Sequence, residues 1–131
     1  MKQNQDRPIR TAVYTRSATD NGLDAQLANI HALIARMPKQ GQKWSVKHTL
    51  VDARLSGLTT DRPAYQTLLR LVRSGKIDAI AIDRLDRISR FVAAYFDFVR
   101  ELDEHDVKLV SREGVRDPIV YRRKAEKRRT C

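Results

Sequence analysis

Four short runs, "IRTAVYT" (9–15), "WSVKHTLV" (44–51), "DAIAI" (78–82) and "VKLVS" (107–111), are rich in apolar and β-branched residues and alternate with segments of a different period. Runs of this length and composition read as buried strands. After the first, Leu27, Ile30, Ile34 and Met37 recur at helical spacing from Leu23 onward, and Pro38 and Gly41 end the pattern. After the second, Tyr65, Leu68, Leu69 and Val72 share one helical face. Asp61 is the predicted cap of that helix, Pro63 suits its first turn and Gly75 stops it. After the third, Val92, Tyr95, Phe96, Val99 and Leu102 form the predicted buried stripe. Beyond the fourth run, "REGVRDPIVYRRKAEKRRTC" has no convincing period. Strand–helix alternation of this kind predicts an α/β fold, with a mostly parallel sheet of about four strands, helices on both faces and right-handed crossovers.

A chain of 131 residues suits one domain. The expected division is a flexible polar N-terminus at 1–8, a folded unit at 9–117 and a flexible basic tail at 118–131. No apolar run approaches the roughly 20 residues of a membrane span. The N-terminus lacks the apolar centre of a signal peptide. Cys131 is the single cysteine and cannot form an internal disulfide, so the expected compartment is the reducing cytoplasm. The net charge of +10, from 26 Lys and Arg against 16 Asp and Glu, makes nucleic acid the leading partner, with solvated surface as the bland alternative. Arg122, Arg123, Lys127, Arg128 and Arg129 give the tail the character of an arm that contacts phosphates.

Sheets of this class bind ligands beyond the carboxyl ends of their strands. Arg16 and Ser17 follow the first strand, Asp52 and Ser56 the second, and Asp83, Arg84, Asp86, Arg87 and Arg90 the third. Three polar clusters are therefore expected on one edge. Converging guanidinium groups beside a hydroxyl suit phosphate chemistry, because they bind phosphate oxygens bidentately and stabilise charge developing in phosphoryl transfer. A carboxylate among them orients an arginine or moves a proton. The competing reading of "DRLDRISR" is a solvated helix start in which Asp86 and Arg90 pair along the surface.

Other chemistries find little support. His31, His48 and His105 are scattered without metal-ligand spacing. There is no GxxxxGK[ST] loop and no GxGxxG after a strand. Ion pairing suits Asp83 and Asp86 better than a divalent cation does, because arginines are interleaved with them. Tyr14 reads as core or boundary, and Trp44, Phe91, Phe96 and Phe98 as core or buried interface.

The stretches "AVYTR", "LDAQ", "DARLSG", "DRPAYQTLL", "GKIDAIAIDRLDRISR" and "HDVKLVS" span roughly residues 10–115. In order and spacing they resemble the catalytic domain of the serine recombinases, which include resolvases, DNA invertases and large serine integrases. The resemblance implies a resolvase-like fold acting on DNA phosphodiesters for recombination or integration, in a transposon or phage setting. A serine attacks the phosphodiester, a phosphoseryl bond forms and a hydroxyl end leaves, without metal or nucleotide cofactor. It also implies that Arg16, Gln26, Ser56, Arg62, Asp86, Arg87 and Arg90 occupy active-site positions. Arg16, Arg62, Arg87 and Arg90 would bind the scissile phosphate, and Asp86 would act as an acid or orienting partner.

Three departures bear on activity. The family pattern is arginine, any residue, serine, threonine, whereas "RSAT" places Ala18 on the nucleophile position, one residue after Ser17. Alternatively, the stretch from Arg16 to Gln26 is one residue short of the family's and Ser17 takes the nucleophile's place. Alanine cannot form the covalent intermediate. The second departure is Ala53 where the family often has a second acid; the third is "IVYRRKAEKRRTC" where a long dimerisation helix and a DNA-binding domain are usual. The expectation is a recombinase catalytic domain leaning inactive. The alternatives are a non-catalytic relative that binds DNA or modulates a full-length recombinase, and a structural remnant. The expected partners are DNA and a second recombinase chain, this one or a full-length relative.

Overall fold

A computed structural model describes residues 8–17, 22–37, 43–53, 62–85 and 92–118. Five strands and three helices are seen among them: β1 (Ile9–Ser17), α1 (Leu23–Ala35), β2 (Trp44–Ala53), α2 (Pro63–Arg73), β3 (Ala79–Ala81), α3 (Val92–Glu104), β4 (Lys108–Ser111) and β5 (Gly114–Arg116). The sheet order is β2-β1-β3-β4-β5. The first three pairings are parallel and β4–β5 is antiparallel.

This order explains where the helices lie. The chain steps from β1 outward to β2, then back across β1 to β3 and on to β4. Right-handed crossovers in opposite directions put their helices on opposite faces. One core cluster accordingly joins Val13, Ile30, Ala81 and Val110, with Leu27, Ile34, Met37 and Trp44 from the α1 side packed on it. The other joins Ala12, Tyr14, Ile80 and Leu109 of the sheet to Leu68 and Val72 of α2 and to Phe98, Val99 and Leu102 of α3. β1 lies between two strands and under helices on both faces, which is why all but one of its nine residues are buried.

The α/β architecture with helices on both faces is as expected, and four of the expected strands are present. β5 was not legible. It has three residues, too few to show a period, and pairs with β4 through the two-residue tip Arg112–Glu113. β1 also runs two residues beyond its expected end, through Arg16 and Ser17.

The stripe on α3 needs a correction. Phe96 is 59% exposed, while Phe98 is 1% exposed. Tyr95, Phe98, Val99 and Leu102 follow the i, i+3, i+4, i+7 pattern of one face, and Phe96 lies about 100° round from Tyr95.

The cap of α2 is also different. Its N-cap residue is Arg62, which makes no side-chain cap bond. The acceptor for its first N–H groups comes from β2, as described below; Asp61 lies outside the described residues. Its C-terminus is as expected. Gly75 has φ 70, and the N–H groups of Gly75 and Lys76 return to the carbonyls of Val72 and Leu71. That double return requires a left-handed residue, which glycine adopts without a steric penalty.

Candidate nucleic-acid interface

Tyr14 is completely buried on the α2 side of β1. A buried phenol needs a partner for its hydroxyl. It donates to Asp52 Oδ2 at 2.9 Å and accepts from Arg62 Nη1 at 3.2 Å. Asp52, near the end of β2, also accepts the backbone N–H of Ala64 at 2.9 Å and of Tyr65 at 3.0 Å. One carboxylate thus joins β1, β2 and the start of α2. Its charge sits at the positive end of the helix, where an anion is stabilised.

The Arg62 guanidinium lies over the Tyr65 ring, 4.3 Å from its centroid, and the residue is 2% exposed. Arg16 is 3% exposed and lies opposite Asp52 in the β1–β2 register. Strand alternation puts it on the same face as Tyr14. Both arginines lie close enough to Tyr14 to favour its ionised form. Burial and the Asp52 carboxylate outweigh them, so the Tyr14 hydroxyl is held far above the usual tyrosine range. Tyr14 is therefore a neutral hydrogen-bond donor at neutral pH. Burial likewise raises Tyr65.

Gln26 is buried on α1 and donates through Nε2 to the Arg16 carbonyl at 3.2 Å. This bond ties the first turn of α1 to the end of β1. Gln26 Oε1 has no hydrogen-bond partner among the described residues. Ser17 is buried as the last residue of β1, and alternation directs it to the α1 face, opposite Arg16.

Asp83, just after β3, is buried, and Arg112 Nε lies 2.8 Å from its Oδ1. Their angle falls outside hydrogen-bond geometry, so the contact is an ion pair without a directed bond. Ion pairing was the expectation for Asp83; among the described residues its partner, Arg112, comes from the β4–β5 tip. Arg84 is exposed.

The fold thus gathers Arg16 and Arg62 round Tyr14 and Asp52 at one end of the sheet, with Gln26 on the other face. Ala18, Ser56, Asp86, Arg87, Arg90, Arg122, Arg123, Lys127, Arg128 and Arg129 lie outside the described residues. Sequence reasoning missed the part played by Tyr14, and that of Tyr65 beneath Arg62. The available signal was a tyrosine two places before an arginine on one strand, which puts both on one face. Glu101, Glu104 and His105 also have ligand atoms within 4.8 Å of one another, at the end of α3. Glu101 is already bound there by Arg73, at 2.7 Å. No helix among the described residues is long and apolar enough to cross a membrane.

The family model described as "Resolvase, N terminal domain" matches residues 11–127. The chain belongs to this serine recombinase family. A search of curated proteins finds no match. Among solved structures, this resolvase-family chain is similar to the N-terminal catalytic domain of TP901-1 integrase. The identity is 28% and the TM-score 0.68, over 78% of this chain and 76% of that one. It is also similar to the C-terminal catalytic domain of ISC1926 TnpA, an IS607-like serine recombinase. There the identity is 25% and the TM-score 0.65, over 79% and 69% of the two chains. A resolvase family site-specific recombinase from Streptococcus pneumoniae shares the fold at 21% identity and TM-score 0.68, over 93% and 89%.

Proposed function

We propose that this chain is a serine recombinase catalytic domain that holds a DNA phosphodiester against Arg16 and Arg62, and that its own cleavage activity is impaired. The observation that carries this reading is the burial of two guanidinium groups at the carboxyl end of a parallel sheet, near a neutral phenol and the Asp52 carboxylate. Guanidinium groups gathered at the end of a sheet suit a phosphate, whose oxygens they bind bidentately. Arg87 and Arg90 would complete the phosphate contacts, with Asp86 as acid or orienting partner and Ser56 and Gln26 at the margin. Arg122, Arg123, Lys127, Arg128 and Arg129 would add backbone contacts from the tail.

Cleavage requires a hydroxyl oxygen to attack phosphorus while the bond to the leaving sugar oxygen breaks and that oxygen takes a proton. Ala18 supplies no such oxygen. Ser17 has one, but β1 continues through it, which supports placing it on the face away from Arg16. The second reading, a non-catalytic relative that binds DNA or engages another recombinase, follows from the same two residues.

The test is incubation of supercoiled DNA carrying a cognate site with the natural chain and with Ala18→Ser, followed by a search for a covalent protein–DNA adduct. No adduct from the natural chain and an adduct on residue 18 of the variant is the expected result. An adduct on Ser17 of the natural chain would overturn the impaired reading. Binding that does not weaken with salt would overturn the DNA reading itself, since log affinity should fall with log salt by about 0.9 per neutralised phosphate.

A further inference from the structure

Two consecutive residues of the β4–β5 tip hold the exit of β3. Ser111 pairs with Gly114, leaving Arg112 and Glu113 as the tip. Gly114 has φ 136, a region closed to residues with a β-carbon. The Glu113 N–H donates to Ser111 Oγ at 3.2 Å, and Ser111 is buried. The tip is thus held in one shape by its own contacts.

From β4 and this tip, four contacts reach the chain beyond β3. The Ile82 N–H donates to the Val110 carbonyl at 2.9 Å, and the Arg112 N–H donates to the Asp83 carbonyl at 3.0 Å, which carries the strand pairing past the end of β3. The Arg112 guanidinium pairs with the Asp83 carboxylate, which is buried beneath it. Glu113 Oε1 accepts the Leu85 N–H at 3.2 Å. Residues 83–85 open the stretch "DRLDRISR", and Asp86, Arg87 and Arg90 come next in sequence. An acceptor fixed on the Leu85 N–H sets the orientation of the Arg84–Leu85 peptide plane, one residue before Asp86.

We propose that Arg112 and Glu113 are positioning residues: as a two-point latch, the hairpin tip sets the direction in which the chain enters residues 86–90 and so where the arginines of that segment meet a DNA phosphate. The assignment rests on the DNA-phosphate reading above. Neither residue touches the phosphate in it.

Charge gives the assignment a distinguishing sign. Glu113 is an acid in a chain of net charge +10. If it acted through its field alone, removing it would strengthen DNA binding. The latch requires the opposite. Glu113→Ala and Glu113→Gln remove the same charge, but only glutamine keeps an oxygen for the Leu85 N–H.

The experiment compares the 131-residue chain with these two variants. It measures binding of a fluorescent mixed-sequence DNA duplex at low salt and amide hydrogen exchange residue by residue. The expected result is that Glu113→Ala weakens duplex binding by about fivefold to tenfold and speeds exchange of the Leu85 amide by about tenfold, the scale of one charge-assisted hydrogen bond. Glu113→Gln should stay within about twofold of the natural chain in both, and exchange in α2 should be unaltered in each variant. Equal strengthening of DNA binding by both variants overturns the proposal, since Glu113 then acts only through charge. Unchanged Leu85 exchange in Glu113→Ala also overturns it. If the natural chain binds no duplex, the DNA reading fails separately. Exchange then decides the latch: acceleration from Leu85 into residues 86–90 in Glu113→Ala but not in Glu113→Gln supports it, and no difference overturns it.

Discussion

Tyr14 and Asp52, 38 positions apart in the chain, share a buried hydrogen bond of 2.9 Å, and the same phenol oxygen accepts from Arg62 at 3.2 Å. Asp52 keeps two backbone donors without this bond, but Arg62 loses an acceptor. Tyr14→Phe should therefore cost about 1–2 kcal/mol of stability. If Arg62 binds a phosphate, it should also weaken DNA binding more than that modest loss of folding explains. Urea unfolding and DNA titration measure the two effects separately.

Asp52→Ala should be more damaging. It removes the acceptor for two helix N–H groups and for the buried Tyr14 hydroxyl. A loss of about 3–4 kcal/mol is expected from the cap and the stranded buried groups together. Urea unfolding checks it; a loss under about 1 kcal/mol would mean that water or another residue replaces the carboxylate.

Alkaline pH should unfold the protein through its tyrosines. Tyr14 and Tyr65 both have folded-state pKa values raised, chiefly by burial. A raised folded value favours the protonated phenol in the native state. That stability is fully present below the unfolded value of about 10 and is lost as pH rises above it, by at most about 1.4 kcal/mol per pH unit for each tyrosine. Tyr14→Phe should show a shallower decline than the natural chain above about pH 10. Parallel curves would show that Tyr14 ionises as readily folded as unfolded.

Arg10 and Asp78 offer a control at the opposite end of the sheet. Asp78 accepts the Arg10 backbone N–H, Nε and Nη2, each at 2.9 Å, joining the start of β1 to the residue before β3. Asp78→Ala should cost about 1–2 kcal/mol, because the pair is only partly buried. DNA affinity at temperatures where the variant is folded should be unchanged or slightly higher, since an acid has been removed from a basic protein.

The register of α3 is tested by its two phenylalanines. Phe98→Ala empties a place packed beside Tyr65, 5.9 Å between ring centroids, and should cost about 3–5 kcal/mol. Phe96→Ala should change stability by less than about 1 kcal/mol, since the ring is mostly in solvent. Thermal or urea unfolding of the two variants distinguishes this register from one shifted by a residue.

Much of this molecule was legible because local patterns and tertiary demands agree. β1 is hidden under helices on both faces, and the unbroken apolar and β-branched stretch from Thr11 to Thr15 makes its strand character stand out. Gly75 ends α2 because no residue with a side chain adopts that backbone as easily, and the reason is local. Arg16 and Arg62 were placed in one site by the rule for strand ends and by family resemblance. The cap of α2 was misplaced because its acceptor belongs to Asp52, 12 positions from Ala64, and not to a residue beside the helix. β5 escaped notice because three residues cannot display a period.

The order of residues alone determined the alternation of strands and helices, the charge, and which arginines fall at strand ends, since each depends on side-chain type and spacing along one chain. The role of Tyr14, the sharing of Asp52 among three elements and the grip of Arg112 and Glu113 on residues 83–85 were decided only in three dimensions. Each is a hydrogen bond or ion pair between segments brought together by the sheet, and no periodicity within one segment encodes a partner in another.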